Sequence, residues 1–199
     1  MKVAGAALLA ALVPATAGAL SLTPTEVDAL GRVVYAEAAN QPVAGKVAVL
    51  DTILNRLASG LFGSNVLAVI EQRNAFEPVT RAGGWRRLPT LTAAQATEFS
   101  TVLGLKTVGL VSDASHGALY FQNEAIVGNR AQDGTVRKDL VGFGGMPKTA
   151  VIADHTFYAP GPSAARPQSV SISGARHPAA TLFVGESEET VLIKGAENE

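Results

Sequence analysis

Hydrophobic residues recur at helical spacing along the first half of the chain and predict two long helices. Thr23 and Glu26 form a capping box, with a proline at the first helical position, so the first helix is expected to begin there. It is expected to end near Ala39. The second helix is predicted over Val43–Ser59, and Gly60 is expected to end it.

Two shorter helices and a loop are predicted next. One helix is expected over residues 65–71, and another opens at the Thr92 capping box and runs to about Leu103. The glycine- and proline-containing stretch between them, residues 72–84, is expected to be a turn-rich loop.

The second half of the chain has a different pattern. Gly117–Gln122 and Thr149–Tyr158 each read as an apolar strand, and the polar, glycine-rich stretch between them predicts a surface loop over Asn123–Lys148. Proline and serine then become frequent, so residues 160–199 are interpreted as a C-terminal extension. The predicted fold class is α+β and mainly helical, with a small β element.

The N-terminal segment has the pattern of a secretory signal peptide. Lys2 precedes an apolar run over Val3–Val13, and small residues follow, with cleavage possible after Ala17 or Ala19. The alternative is an uncleaved, releasable membrane anchor. A membrane span needs about 20 apolar residues, and Val3–Leu22 barely reaches that length and contains Pro14. Residues 1–19 are therefore assigned to the signal peptide or anchor, and residues 20–159 to the main folded domain.

Composition narrows the possible functions. The formal net charge is −1, which does not favour a nucleic-acid partner. The chain has no cysteine, which excludes a disulfide scaffold, a cysteine–zinc site and a cysteine nucleophile. Its three histidines are far apart in the sequence, so a histidine-rich metal site is not expected.

Glu37 departs from the pattern of the first helix. It follows Leu30 and Val34 on the face that otherwise points into the core. Apolar neighbours and the negative end of the helix dipole both raise the pKa of a carboxyl group. A carboxylic acid that stays protonated near neutral pH is the proton donor that glycosidic-bond cleavage requires. The alternative is that Glu37 pairs with Arg32 or Arg56 at the rim.

Five blocks in the chain resemble those of the bacterial cell wall hydrolase family that includes the spore-cortex lytic enzymes of germination. They appear in the family order: Leu30–Ala38, Gly45–Val49 with Leu54-Asn55-Arg56, Val69–Val79, Ala118–Asn123 and His155–Tyr158. The chain departs from the family pattern at Gln41, where a second acidic residue is common. It also departs at Ala153-Asp154, where a glycine is common.

The resemblance implies a lysozyme-like domain that acts on peptidoglycan as a lytic transglycosylase. By this resemblance, Glu37 first donates a proton to the glycosidic oxygen and then, as a carboxylate, accepts the proton of the muramyl C6 hydroxyl. Such a mechanism needs no second nucleophilic carboxylate, and we expect no metal and no cofactor. A hydrolytic muramidase is the alternative, and it would use Glu77 as a second carboxylate. A further alternative is that the protein is not an enzyme. It would then have the same fold but act as a peptidoglycan-binding or particle-structural protein.

The same blocks supply candidate substrate-binding residues. Gln72 is expected to bind an acetamido group, and Phe76 and Glu77 to line the sugar groove. The alternatives are that Phe76 is a core residue under the loop and that Glu77 is an exposed loop carboxylate beside Pro78. Tyr120 and Asn123 are expected to contact the glycan or to orient Glu37.

The expected partner is the peptidoglycan glycan strand, with a possible protein partner for the extension. Contact with a membrane is expected only through an uncleaved N-terminal segment. The expected location is outside the bacterial cytoplasm, in the periplasm, cell wall or medium. A phage-encoded, virion- or envelope-associated protein is the alternative.

Overall fold

A computed structural model describes residues 21–161. The predicted signal peptide or anchor and nearly all of the predicted extension lie outside this range. None of the helices within residues 21–161 combines the length and the apolar character that a membrane span requires.

The sequence correctly places four helices. Helix α1 covers Pro24–Ala38, and the Thr23 hydroxyl accepts a 3.2 Å hydrogen bond from the Glu26 N–H, as the capping box predicts. Helix α2 covers Val43–Ser59 and ends at Gly60, whose φ of 68° is left-handed. Helix α3 covers Val66–Glu71. The helix that follows Thr92 is confirmed but runs to Thr107, one turn beyond the predicted end.

Two predicted loops contain helices. Helix α4, Glu77–Ala82, lies in the stretch expected to be a turn-rich loop. The helix after Thr92 is therefore α5, Ala93–Thr107. Helix α6, Glu124–Gln132, lies in the second predicted loop. It is followed by a short helical turn at Lys138–Leu140 and by a turn at Gly142–Gly145 in which Phe143 has a left-handed φ of 46°.

The β element is a three-stranded antiparallel sheet. Strand β1 covers Tyr120–Gln122 and is shorter than predicted. The predicted strand over residues 149–158 is in fact a hairpin of β2, Lys148–Ile152, and β3, His155–Tyr158. The strand order is β1-β3-β2, so β3 pairs with both neighbours.

Helix α1 lies at the centre of the core and contacts α2, α3, α4 and α5. Its apolar face is fully buried, with Leu30 and Val33 at 0% exposure. The mainly helical α+β fold that the sequence predicts is thereby confirmed. Since this core fixes α1, the residues of its last turn have fixed positions at the edge of the domain.

Candidate active site

An open cavity of about 600 Å³ lies where α1 and α2 end, between α4 on one side and β1 and α6 on the other. Its lining combines carboxylates, arginines, amides and aromatic rings. The polar and charged side chains that line it are Glu37, Asn40, Gln41, Arg56, Gln72, Arg73, Asn74, Glu77, Arg81, Tyr120, Gln122, Asn123, Arg130, Asp154 and His155.

Glu37 lies in the last turn of α1 and opens into this cavity, partly exposed. Burial is the main cause that raises its pKa from 4.5 to about 7, and the charge of Glu77 adds to the rise. Arg56, Arg81 and the backbone N–H of Glu77 act in the opposite direction. Glu37 therefore exists in both protonation states near neutral pH.

The suggested pairing of Glu37 with Arg32 does not occur. Arg32 is bound to Asp28 at 2.9 Å and to the Leu88 carbonyl at 3.2 Å. Within residues 21–161, Glu37 forms no ion pair with any arginine or lysine. Arg56 acts on it only through the longer-range attraction of its charge.

Glu77 is exposed at the start of α4 on the same cavity wall. Its Oε1 accepts a 3.0 Å hydrogen bond from Arg81 Nη2, and its Oε2 lies 3.7 Å from Arg130 Nη1. Glu77 therefore links α4 to α6 across the cavity through its contacts with Arg81 and Arg130.

The end of α2 anchors the segments on both sides of the cavity. Asn55 Nδ2 donates to the Asp113 carboxylate at 3.1 Å and to the Ala118 carbonyl at 3.3 Å. Arg56 Nε donates to the Leu119 carbonyl at 2.7 Å. These bonds fix the segment that leads into β1, and so they fix the wall that carries Tyr120.

A buried ion pair between Asp51 and Lys106 also holds the segment that leads into β1. Lys106 Nζ lies 2.5 Å from Asp51 Oδ1, while Asp51 Oδ2 accepts from the Ala114 N–H at 2.8 Å. Burial raises the pKa of Asp51 from 3.8 to about 6, although Lys106 counteracts this rise.

Three aromatic rings form the wall beside β1. The Tyr120 ring meets Phe62 edge-on at 5.8 Å between centroids and lies 5.2 Å from Phe143. All three line the cavity. Such a wall offers apolar surface to the faces of sugar rings.

Gln41 and Asp154 also line the cavity and are hydrogen-bonded to each other. Gln41 Nε2 donates to Asp154 Oδ2 at 3.1 Å, and the Asp154 N–H donates to Gln41 Oε1 at 3.2 Å. The α1–α2 turn is thereby joined to the turn of the β2–β3 hairpin. Gln41 stands where the family often has an acid, and in this chain it holds the hairpin.

The structure brings four of the predicted substrate-binding residues to the cavity. Gln72, Glu77, Tyr120 and Asn123 line it together with Glu37. The Asn123 side chain also caps α6, because its Oδ1 accepts from the Ile126 N–H at 3.0 Å.

Phe76 is the exception, because the structure places it in the core rather than on the cavity wall. Only 1% of it is exposed, and the Arg56 guanidinium lies 4.9 Å from its ring centroid. The expectation that Phe76 lines the groove is wrong, since the turn before α4 folds its side chain inward.

Sequence reasoning missed most of the arginines around the cavity. Arg56 could have been identified in the same way as Glu37, because it is a charged residue on an apolar helix face. It follows Val49 and Ile53 on the buried face of α2. Arg73, Arg81 and Arg130 lie on a turn or on helices that the pattern does not predict, so no signal identified them. Among residues 21–161, no group of three acidic or histidine side chains is arranged to hold a metal ion.

The family model for cell wall hydrolases matches residues 40–158. This match covers more than half of the chain, so the protein belongs to the cell wall hydrolase family and is a glycan-cleaving enzyme of the cell wall. The matched range begins after Glu37, so the role of that residue rests on the site geometry. No curated protein matches the chain.

Two solved structures have a similar fold. One is the catalytic domain of the germination-specific lytic transglycosylase SleB from Bacillus anthracis, at 23% identity and a TM-score of 0.51, covering 69% of this chain and 97% of that one. The other is the catalytic domain of the Bacillus cereus SleB protein, at 25% identity and a TM-score of 0.51, covering 69% and 91% respectively.

Proposed function

We propose that the protein is a lytic transglycosylase that cleaves the β-1,4 bond between N-acetylmuramic acid and N-acetylglucosamine, with Glu37 as its single catalytic carboxyl group. The observation that carries the proposal is the Glu37 side chain, which opens into the cavity with a pKa of about 7. The similarity to a solved lytic transglycosylase supports the same reaction class.

The reaction needs one group that acts first as an acid and then as a base. Glu37 gives its proton to the glycosidic oxygen as the C1–O bond breaks, and the bonding electron pair stays with the leaving sugar. The C6 hydroxyl oxygen of the muramyl residue then bonds to C1, and its proton returns to the Glu37 carboxylate. The product is a 1,6-anhydro ring, and no water is consumed.

A pKa near the working pH suits both halves of this cycle. An acid with a much lower pKa would be ionised before it could donate, and one with a much higher pKa would form a carboxylate too rarely to act as a base. Burial supplies most of the rise at Glu37, and the surrounding arginines limit it.

The remaining lining residues are proposed to hold the glycan. Gln72 is exposed on the cavity wall and offers an amide to an acetamido group. Tyr120 presents its ring and hydroxyl group from β1. Asn123 uses its oxygen to cap α6, which leaves its amide nitrogen for the sugar.

A hydrolytic muramidase is the second candidate, and Glu77 is the observation that favours it. Its carboxylate lines the same cavity, and its charge acts on Glu37. A retaining or inverting hydrolase needs such a second carboxylate to attack the sugar or to activate water. In the proposed transglycosylase, Glu77 does not react with the sugar, and its charge instead raises the pKa of Glu37.

Three single variants test the proposal on purified peptidoglycan. Glu37→Gln should abolish the release of soluble fragments while the protein still sediments with the insoluble wall. Glu71→Gln is the matched control, because Glu71 is an exposed carboxylate on α3 outside the cavity lining, and it should keep full activity. Glu77→Gln should retain cleavage in a transglycosylase and lose it in a hydrolase.

Activity in Glu37→Gln would overturn the assignment of the acid. Binding without cleavage by the folded wild-type protein would favour a wall-binding role instead.

The chain boundaries belong to the same proposal. We propose that residues 1–19 direct export and that residues 160–199 extend a catalytic domain formed by residues 20–159. N-terminal sequencing of the protein recovered outside the cytoplasm tests the first boundary. A start at residue 18 or 20 is expected, and recovery of the intact N terminus in the membrane fraction would show an anchor.

A further inference from the structure

Arg56 is a buried cation that has no carboxylate partner among the described residues. Only 5% of it is exposed. Nε donates to the Leu119 carbonyl at 2.7 Å and Nη1 to the Ala75 carbonyl at 3.4 Å, both neutral acceptors. A buried charge is costly unless a partner offsets it, so its presence at this position needs a reason.

The surroundings of Arg56 hold the guanidinium in one place. Its central carbon lies 4.9 Å from the Phe76 ring centroid, 5.1 Å from that of Phe62 and 5.8 Å from that of Tyr120. Aromatic faces attract a cation and exclude water, so the charge is neither mobile nor strongly screened. The residue lines the same cavity as Glu37.

We propose that Arg56 is a positioning residue for Glu37, whose fixed positive charge stabilises the carboxylate form between proton donation and proton recovery. This inference rests on the proposed function, because it assigns the partner of the single acid–base group. Burial favours the acid that starts the reaction. A fixed cation at a distance favours the carboxylate that completes it, without forming the ion pair that would remove the acid altogether.

Other charges also face Glu37, and they are less suited to this task. Arg81 is 72% exposed and is bound to Glu77, so solvent and its partner weaken its effect. Further titratable groups line the cavity on the remaining elements, namely Arg73, Glu77, Tyr120, Arg130, Asp154 and His155. Among the cavity arginines, Arg56 alone is buried.

The charge of Arg56 affects the pKa of Glu37 in the direction that this role requires. Arg56 is the largest of the influences that lower this pKa, opposing burial and Glu77. The attraction is mutual, since Glu37 in turn raises the pKa of Arg56 against a decrease caused mainly by burial.

A titration of the Glu37 carboxyl group measures this coupling without relying on activity. The ¹³C carboxyl resonance is followed against pH by NMR and is assigned by its absence from Glu37→Gln. In Arg56→Gln the midpoint should rise by about one pH unit, as expected for loss of a nearby opposite charge. Arg56→Lys should keep the midpoint near the wild-type value, because the charge is retained. The matched control, Arg81→Gln, removes an exposed charge and should shift the midpoint less.

The pH profile of cleavage gives the second measurement. Because donation requires protonated Glu37, activity falls as the pH rises through its pKa. This decrease of activity at high pH, the alkaline limb of the profile, should move to higher pH in Arg56→Gln, and the rate at the optimum should fall. Arg56→Lys should restore the position of the limb.

An unchanged Glu37 midpoint in folded Arg56→Gln would overturn the proposal and leave Arg56 a purely structural role. If Arg56→Gln does not fold, Arg56→citrulline replaces it, because that side chain keeps the shape and donors without the charge. Failure of the proposed function is a separate result, since it appears as cleavage by Glu37→Gln whatever the titration shows.

Discussion

Replacing the proposed catalytic acid should stabilise the protein, and only at high pH. In wild type, Glu37 must ionise while it is largely surrounded by protein, which disfavours its charged form. The Glu37→Gln variant keeps nearly the same shape but carries no charge at any pH. The two proteins should therefore differ in their dependence of stability on pH.

The magnitude follows from the pKa of Glu37 in the folded and unfolded chain. A group with a raised folded pKa binds more protons in the folded state, so stability is lost as the pH rises between the two values. For Glu37 this window runs from 4.5 to about 7. At about 1.4 kcal/mol per pKa unit, this difference of about 2.5 units corresponds to a loss of about 3.5 kcal/mol once the pH is well above 7. Glu37→Gln should be more stable by about that amount at pH 8 and nearly equal to wild type at pH 4.5.

Urea denaturation at the two pH values measures this difference. Glu71→Gln is the control, because it makes the same replacement at an exposed position on α3 outside the cavity. An equal stability difference between Glu37→Gln and wild type at pH 4.5 and pH 8 would refute the reasoning. So would a variant that is less stable than wild type at pH 8.

Three further substitutions test other parts of the structure. Glu77→Gln removes a charge that raises the pKa of Glu37, so the alkaline limb of the cleavage profile should move to lower pH, and an unmoved limb would show that the two do not interact. Lys106→Met leaves Asp51 buried without its cation and should lower the free energy of unfolding by about 3 kcal/mol or more at pH 8, and by less at pH 5, where Asp51 is protonated. Ala153→Gly should raise the melting temperature, with a gain of about 1 kcal/mol, because Ala153 has a left-handed φ of 48° that glycine adopts without strain. A loss of stability in Ala153→Gly would contradict that explanation.

The long helices were predictable because several signals agreed in each. Helix α1 combines a capping box with an apolar face, and α2 combines such a face with Gly60. Helix α4 has a proline near its start and Gly83 at its end, but its six residues are too few to show a period. Helix α6 buries only Ala131 and therefore has almost no apolar pattern.

The hairpin was missed for a related reason. A tight turn between strands is normally marked by glycine or asparagine, and this one is made by Ala153 and Asp154. Without that mark, residues 149–158 read as one continuous strand.

The site was predictable where a charged residue occupied the otherwise apolar face of a predicted helix. Glu37 stood out because a carboxyl group occupied an apolar face, and Arg56 has the same kind of signal on α2. Residues such as Arg130 and Phe143 reach the cavity only because irregular or short elements fold back over the sheet. Their place depends on tertiary contacts that have no local sequence pattern.

The most direct test of the central claim is mass spectrometry of the muropeptides released in ¹⁸O-labelled water. A transglycosylase forms its new muramyl end from the C6 hydroxyl, so wild-type products should end in 1,6-anhydromuramic acid, carry no label and be absent with Glu37→Gln. Reducing muramic ends that carry ¹⁸O would show that water attacks the sugar, which would contradict the single-carboxyl mechanism and favour a hydrolase that uses Glu77.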